Sequence, residues 1–301
     1  MNKIYQEALN GTLKSIKGEP YKGNGEVIFT NNTEIPLLNN IIWYDGLHIK
    51  GIVLKPKEAA KWSPCYLGNA FLFSSAQTGA FASAIVLTDI NVVTYSIHCE
   101  LLAEPNDIGV YPKPTSDSPI PTDSPRVLVS CGLLPNGNPI TREQFWSREA
   151  DSYMLAAGEK RVVSFTESSG MEQTTSDQTT VAASVGVSAS AGWGPISASV
   201  SSSLSKTSTT FQQVTVKTQQ TRYESVELEN KTDASRLFLK WALTDVITVF
   251  DKSNSTTALS SIIMRERPIL IGGPYNPGAL TSVTRPIVDP NLPRPQVVVS
   301  G

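Results

Sequence analysis

Two histidines, His48 and His98, are the only imidazoles in 301 residues, and each sits inside an apolar, strand-like run. Such a position favours a structural role, because a general base needs an orienting partner and a cleft that admits substrate. Cys99 adjoins His98 and Glu100, but neighbours along a strand point to opposite faces, which separates a nucleophile from its base. Asp245 and Asp251 suggest paired carboxylates, yet nothing in the sequence sets their separation or gives them a cleft. GxSxG, Walker and HExxH motifs are missing, as is any cluster with metal-ligand spacing. The expectation is a protein without catalytic residues, metal or cofactor.

The remaining reactive side chains are Cys65, Cys99 and Cys131. An odd number without CxxC spacing fits buried thiols, with one disulfide between two of them as the alternative. Lys and Arg total 25 against 27 Asp and Glu, with no basic block. The electrostatic footprint of a nucleic-acid binder is therefore missing.

Residues 1–17 place Ile4, Ala8, Leu9, Leu13 and Ile16 at helical spacing, interrupted by Lys3, Glu7 and Lys14. They lack the continuous apolar core of a Sec signal peptide, so export by another route is expected. No run of eighteen apolar residues occurs. Any membrane role must then use interfacial contact or β-strands.

The elements read as all-β. Candidate strands are Val27–Thr30, Ile49–Leu54, Ala70–Ser74, Ala84–Thr88, Asn91–Cys99, Arg126–Cys131, Lys160–Thr166, Phe211–Val226, Arg236–Val249 and Leu259–Ile271. Short β-branched and aromatic runs punctuated by Gly, Pro and Asn suit a sandwich. Six prolines between Glu104 and Arg126 mark an exposed connection, and six more between Gly273 and Gly301 mark an extended tail. The expected organisation is an N-terminal segment (1–24), a β-rich docking domain (25–143), a second β domain (144–272) and the Pro-rich tail (273–301).

Inside the second domain lies the most informative stretch. From Ser164 to Arg222, 25 of 59 residues are Ser or Thr, and no charge occurs from Gln178 through Ser205. Val181, Ala183, Val185, Val187, Ala189 and Ala191 take the odd positions, with Ser184, Gly186, Ser188 and Ser190 between them. After Gly192-Trp193-Gly194-Pro195 the parity switches. Ile196, Ala198, Val200 and Leu204 are now even, and Ser197, Ser199, Ser201, Ser203 and Ser205 alternate with them. A parity switch across a Gly/Pro turn is what an antiparallel hairpin needs to show both apolar sets on one face.

Each arm, Val181–Ala191 and Ile196–Lys206, has eleven residues. At about 3.3 Å per residue and ~40° of tilt, an arm reaches roughly 28 Å, the depth of a bilayer core. The expectation is a membrane-inserting hairpin (178–206) with the Val, Ala, Ile and Leu face and Trp193 toward lipid. Ser184, Ser188, Ser190, Ser197, Ser199, Ser201 and Ser203 would line water. Apolar burial of one hairpin gains very roughly 10–20 kcal/mol. Unpaired edge groups in lipid cost several kcal/mol each, so a homo-oligomeric ring must pair the edges before insertion. Glu167 with Arg222, and Glu172 with Lys217, have numbers summing to 389. They lie opposite one another if Trp193 faces Ile196.

Ser/Thr-rich legs around an uncharged alternating hairpin, over 147–271, resemble the insertion region of the aerolysin-type β-pore-forming proteins, including the epsilon-toxin/mosquitocidal-toxin group and monalysin-like insecticidal proteins. The resemblance implies an elongated twisted sheet carrying the hairpin, and a pore-forming, insecticidal toxin. It also implies a target-cell membrane and a receptor (glycan, protein or lipid) as partners. Asn31-Asn32-Thr33-Glu34-Ile35-Pro36-Leu37 with 68–75 and 79–87 is similar to aegerolysin- or actinoporin-like sandwiches that dock on membranes. Trp43, Tyr44, Trp62 and Tyr66 are then candidate receptor or headgroup contacts, against the alternative of ordinary core aromatics. The competing function is a β-sandwich binding module or adhesin that forms no pore.

Overall fold

The computed structural model describes residues 7–8, 25–43, 47–88, 94–99, 102–103, 111–113, 120–171, 177–205 and 220–275. Most of the N-terminal segment, much of the first Pro-rich connection and nearly all of the tail lie outside them. The protein is all-β.

The N-terminal half packs two sheets face to face. β1 (Gly25–Asn31) alternates buried and half-buried residues, the period-two pattern of a strand with one covered face. It lies between β4 (Ala59–Cys65), antiparallel, and β7 (Thr94–Ile97), parallel. Opposite stand β2 (Leu37–Ile42), β3 (His48–Leu54), β5 (Ala70–Ser75) and β6 (Phe81–Val86), ordered β6-β5-β2-β3. Phe29 of β1 fills the space between the sheets, with ring centres 4.6 Å from Phe71, 5.2 Å from Phe73 and 5.4 Å from Tyr95.

The second sheet continues through β8 (Val127–Leu133), which joins β6 by a single parallel pair, Phe81 with Val127. Then follow the long strands β9 (Pro139–Leu155) and β12 (Arg236–Phe250), with β13 (Ala258–Arg265) and β14 (Ile269–Pro274) end to end along the far edge of β12. β10 (Lys160–Met171) touches β13 at its end and otherwise forms a two-stranded ribbon with β11 (Gln220–Glu229). β9 runs unbroken across residues 143 and 144, so the two halves share one sheet.

A buried lysine ties the long strands. Lys240 Nζ donates to Asp151 Oδ2 at 3.1 Å and to the Thr166 carbonyl at 3.2 Å, and sits 4.6 Å above the Phe165 ring. Its side chain is 2% exposed. Only a partnered ammonium is tolerable there.

Several expected strands are displaced. The run placed at Ala84–Thr88 is Phe81–Val86, and Leu259–Ile271 is two strands, divided at Glu266-Arg267-Pro268, where proline removes a ladder donor. β7 is Thr94–Ile97 within the run placed at Asn91–Cys99, with 91–93 outside the described residues. β11 begins at Gln220, with 211–219 outside the described residues. β2 and β4 carry no strong strand signal, since Asn39, Asn40, Lys61 and Pro64 are poor strand formers.

The largest correction concerns 178–206. Where two strands are expected, the chain forms α1 (Gln178–Val185), a 3-10 turn (Ala189–Ala191) and α2 (Trp193–Ser205). The reason lies in the spacing. Val181 and Val185, and Ile196, Val200 and Leu204, are four apart, a step that keeps one face of a strand and one face of a helix alike.

Candidate functional site

The uncharged segment is docked on the sheet through the side chains expected to face lipid. Val181, Val185, Ile196, Val200 and Leu204 are fully buried with Leu134, Ile140, Ile247, Val249 and Ile262 of β9, β12, β13 and the β8–β9 turn. Val187, Ala189 and Trp193 are half-buried against the same cluster, and Ala198 is exposed. The serine set is divided. Ser184, Ser201 and Ser203 are buried, Ser197 and Ser199 half-buried, and Ser188 and Ser190 exposed.

α1 is weak by itself. α1 has eight residues and includes Thr179, Thr180, Val181 and Val185, and isolated helices shorter than ~12 residues are marginal even with better formers. Capping supplies part of what is missing. Asp177 accepts from the Thr180 N–H at 2.7 Å, and these backbone donors hold its carboxyl below the usual range. Gly186 closes the other end at φ +81°, donating to the Ala182 and Ala183 carbonyls.

The sheet supplies the rest. Asn136 and Asn138, on the β8–β9 turn, both donate side-chain N–H groups to the Ser184 carbonyl, at 2.9 and 2.8 Å. Ser130 Oγ donates to the Leu204 carbonyl at 3.0 Å. One carbonyl near the C-terminal end of each helix is thus satisfied by β8 or its turn. Buried Ser184 and Ser260 share a hydroxyl hydrogen bond. Gly132 lets α2 come close, since a Cβ there would lie 2.4 Å from the Ser203 carbonyl oxygen. Asn136-Gly137-Asn138 reads in sequence as a hairpin turn, but the use of its amides is not visible there.

The legs keep the expected register. Every pair from Lys160 with Glu229 to Ser169 with Gln220 has numbers summing to 389, Glu167 with Arg222 among them. The ionic partner of Glu167 is Arg267, at 3.0 Å. Glu172 and Lys217 lie outside the described residues.

The other sequence candidates are placed elsewhere. Trp43 and Tyr66 pack edge to face at 5.5 Å, and Trp62 donates to Asn39 Oδ1 at 2.9 Å while its ring leans toward Phe71. All three are half-buried, with Trp43 and Trp62 against the N-terminal core, and Tyr44 is outside the described residues. His48 is exposed, and His98 Nε2 lies 3.5 Å from Asn32 Nδ2. Asp245 is gripped by Arg142 through two bonds of 3.0 Å, and Asp251 accepts from the Ser253 N–H at 2.7 Å. Among the described residues no helix is long and apolar enough to cross a membrane.

Fold and site together define an all-β protein with an uncharged, strand-patterned segment docked as short helices on the large sheet. No family model and no curated protein matches the chain. The chain is similar to the crystal structure of Cry35Ab1, at 15% identity with a TM-score of 0.40, covering 74% of this chain and 60% of that one.

Proposed function

We propose that this chain is a pore-forming toxin of the aerolysin-like class. It reaches a target-cell membrane through a receptor (glycan, protein or lipid), assembles into a homo-oligomeric ring and inserts a β-barrel built from 178–206. Insect cells are the proposed target. The observation that carries the proposal is the ribbon register. Extended along the same numbering, the β10–β11 pairing sets Trp193 opposite Ile196 and leaves Gly194-Pro195 as the turn. The legs therefore run in phase with a hairpin that the docked form does not make.

Release of α1 and α2 would expose five large apolar side chains, and their transfer to lipid keeps them out of water. Pairing between neighbours then satisfies the backbone that a single hairpin leaves open. Conductance in a planar bilayer made from target-cell lipid tests the proposal. Steps of one size, with SDS-resistant rings and loss of helical circular dichroism, are expected. Membrane binding without conductance would replace the pore with a binding module.

A further inference from the structure

The three cysteines are buried in the same N-terminal core, but they are not equivalent. Cys65, at the end of β4, donates to the Trp62 carbonyl at 3.4 Å, and burial pushes its thiol up to about 11. Cys99 follows β7, and the Leu102 N–H donates to its carbonyl at 3.2 Å. Its Sγ donates to the Cys131 carbonyl at 3.5 Å, within the buried cluster that both side chains share. Cys131 lies in the middle of β8, facing the N-terminal core, while its neighbours Ser130 and Gly132 face α2 on the other side.

We propose that Cys99 and Cys131 are a redox-convertible pair, closing to a disulfide in an oxidising environment and joining the three-stranded sheet to the large sheet directly behind α2. The Cys99 sulfur already lies against the Cys131 backbone in the shared core, and closure to the ~2.05 Å of a covalent bond turns the two side chains toward each other. The step balances with a glutathione disulfide as oxidant. The Cys99 thiolate attacks it and releases one glutathione thiolate. The Cys131 thiolate then attacks the mixed disulfide and releases the second, and the two cysteine protons end on the two glutathiones. Cys99 goes first because Cys131 is the more enclosed of the two and its thiol is held above the ordinary range by the neighbouring Cys99 thiol and by burial. The bond closes a long loop containing the first Pro-rich connection, so its main effect is on the unfolded chain.

The test treats the folded full-length chain with oxidised glutathione, as wild type and as Cys65→Ser. Expected are the loss of two hydrogens without a glutathione adduct, and a link between tryptic peptides 62–126 and 127–142 in Cys65→Ser. In the wild type one alkylatable thiol should remain, at Cys65. The thermal midpoint should rise by roughly 5 °C or more and return with dithiothreitol. Cys131→Ser should give no link. A stable glutathione adduct, an unchanged mass under native conditions, or a link through Cys65 in the wild type would overturn the proposal.

Discussion

Placing a lysine on each face of the inserted hairpin separates the barrel from every other use of the segment, provided the docked form is left undisturbed. Val185 and Val200 are unsuitable, because both are fully buried against the sheet and a charge there would unfold the soluble protein first. Ser188 and Ser202 are both exposed on the docked segment, so lysine at either should change stability by no more than about 0.5 kcal/mol. In the extended register the two differ. Ser202 shares the parity of Ile196, Val200 and Leu204, opposite Val187, and Ser188 shares the other face, opposite Ser201. Six residues back from Ile196, at about 3.3 Å each and ~40° of tilt, Ser202 lies roughly 15 Å into a core about 30 Å thick. A lysine facing lipid there costs ~2–4 kcal/mol per protomer, or about 30- to 1,000-fold, and the cost multiplies around a ring. Dye release from target-cell vesicles should therefore be lost in Ser202→Lys and kept in Ser188→Lys, with equal binding and equal thermal midpoints. Equal release by the two variants would refute the assigned faces and the barrel with them.

Asn138→Ala removes one of the two amides on the Ser184 carbonyl and should destabilise the docked helices by about 1–2 kcal/mol; dye release should then begin at a lower protein concentration. Ser184→Cys with Ser260→Cys should form a crosslink between α1 and β13 that blocks release until dithiothreitol is added, because the two hydroxyls already touch in the buried interface. Glu143 is a buried carboxyl held above its usual value by desolvation, which Thr78 and Arg126 only partly offset. The folded protein thus binds this proton more tightly than the unfolded chain. The stabilisation is fully present below about 4.5 and disappears as pH rises through the raised folded value. Glu143→Gln should raise the thermal midpoint at pH 7 and flatten its dependence between pH 7 and pH 5, as differential scanning fluorimetry would show.

What was legible in the sequence was whatever depends on local pattern. Alternation at Val27–Thr30 and Lys160–Thr166 marks strands with one covered face, and the charges at Glu167 and Arg222 mark opposed positions in a ladder. β2 and β4 were not legible, because their strand state comes from pairing, of β2 with β3 and β5 and of the edge strand β4 with β1, rather than from Asn39, Asn40 or Pro64 themselves. The contacts that hold α1 and α2 were hidden for a similar reason. Asn136, Asn138, Ser130 and Ser260 are far from the helices in sequence and become their partners only when β8, β9 and β13 are assembled.

The segment 178–205 shows the division most clearly. By itself the sequence determines that it is uncharged, that its large side chains recur every four residues, and that a Gly-Pro turn stands where the legs' register would place one. It does not determine helix or strand, because a spacing of four satisfies both periods and the intervening Ala and Ser side chains are small enough for either. The tertiary structure makes that choice. The apolar cluster of Ile140, Ile247, Val249 and Ile262 receives one stripe of each helix, and two amides of the β8–β9 turn bond the Ser184 carbonyl near the end of α1.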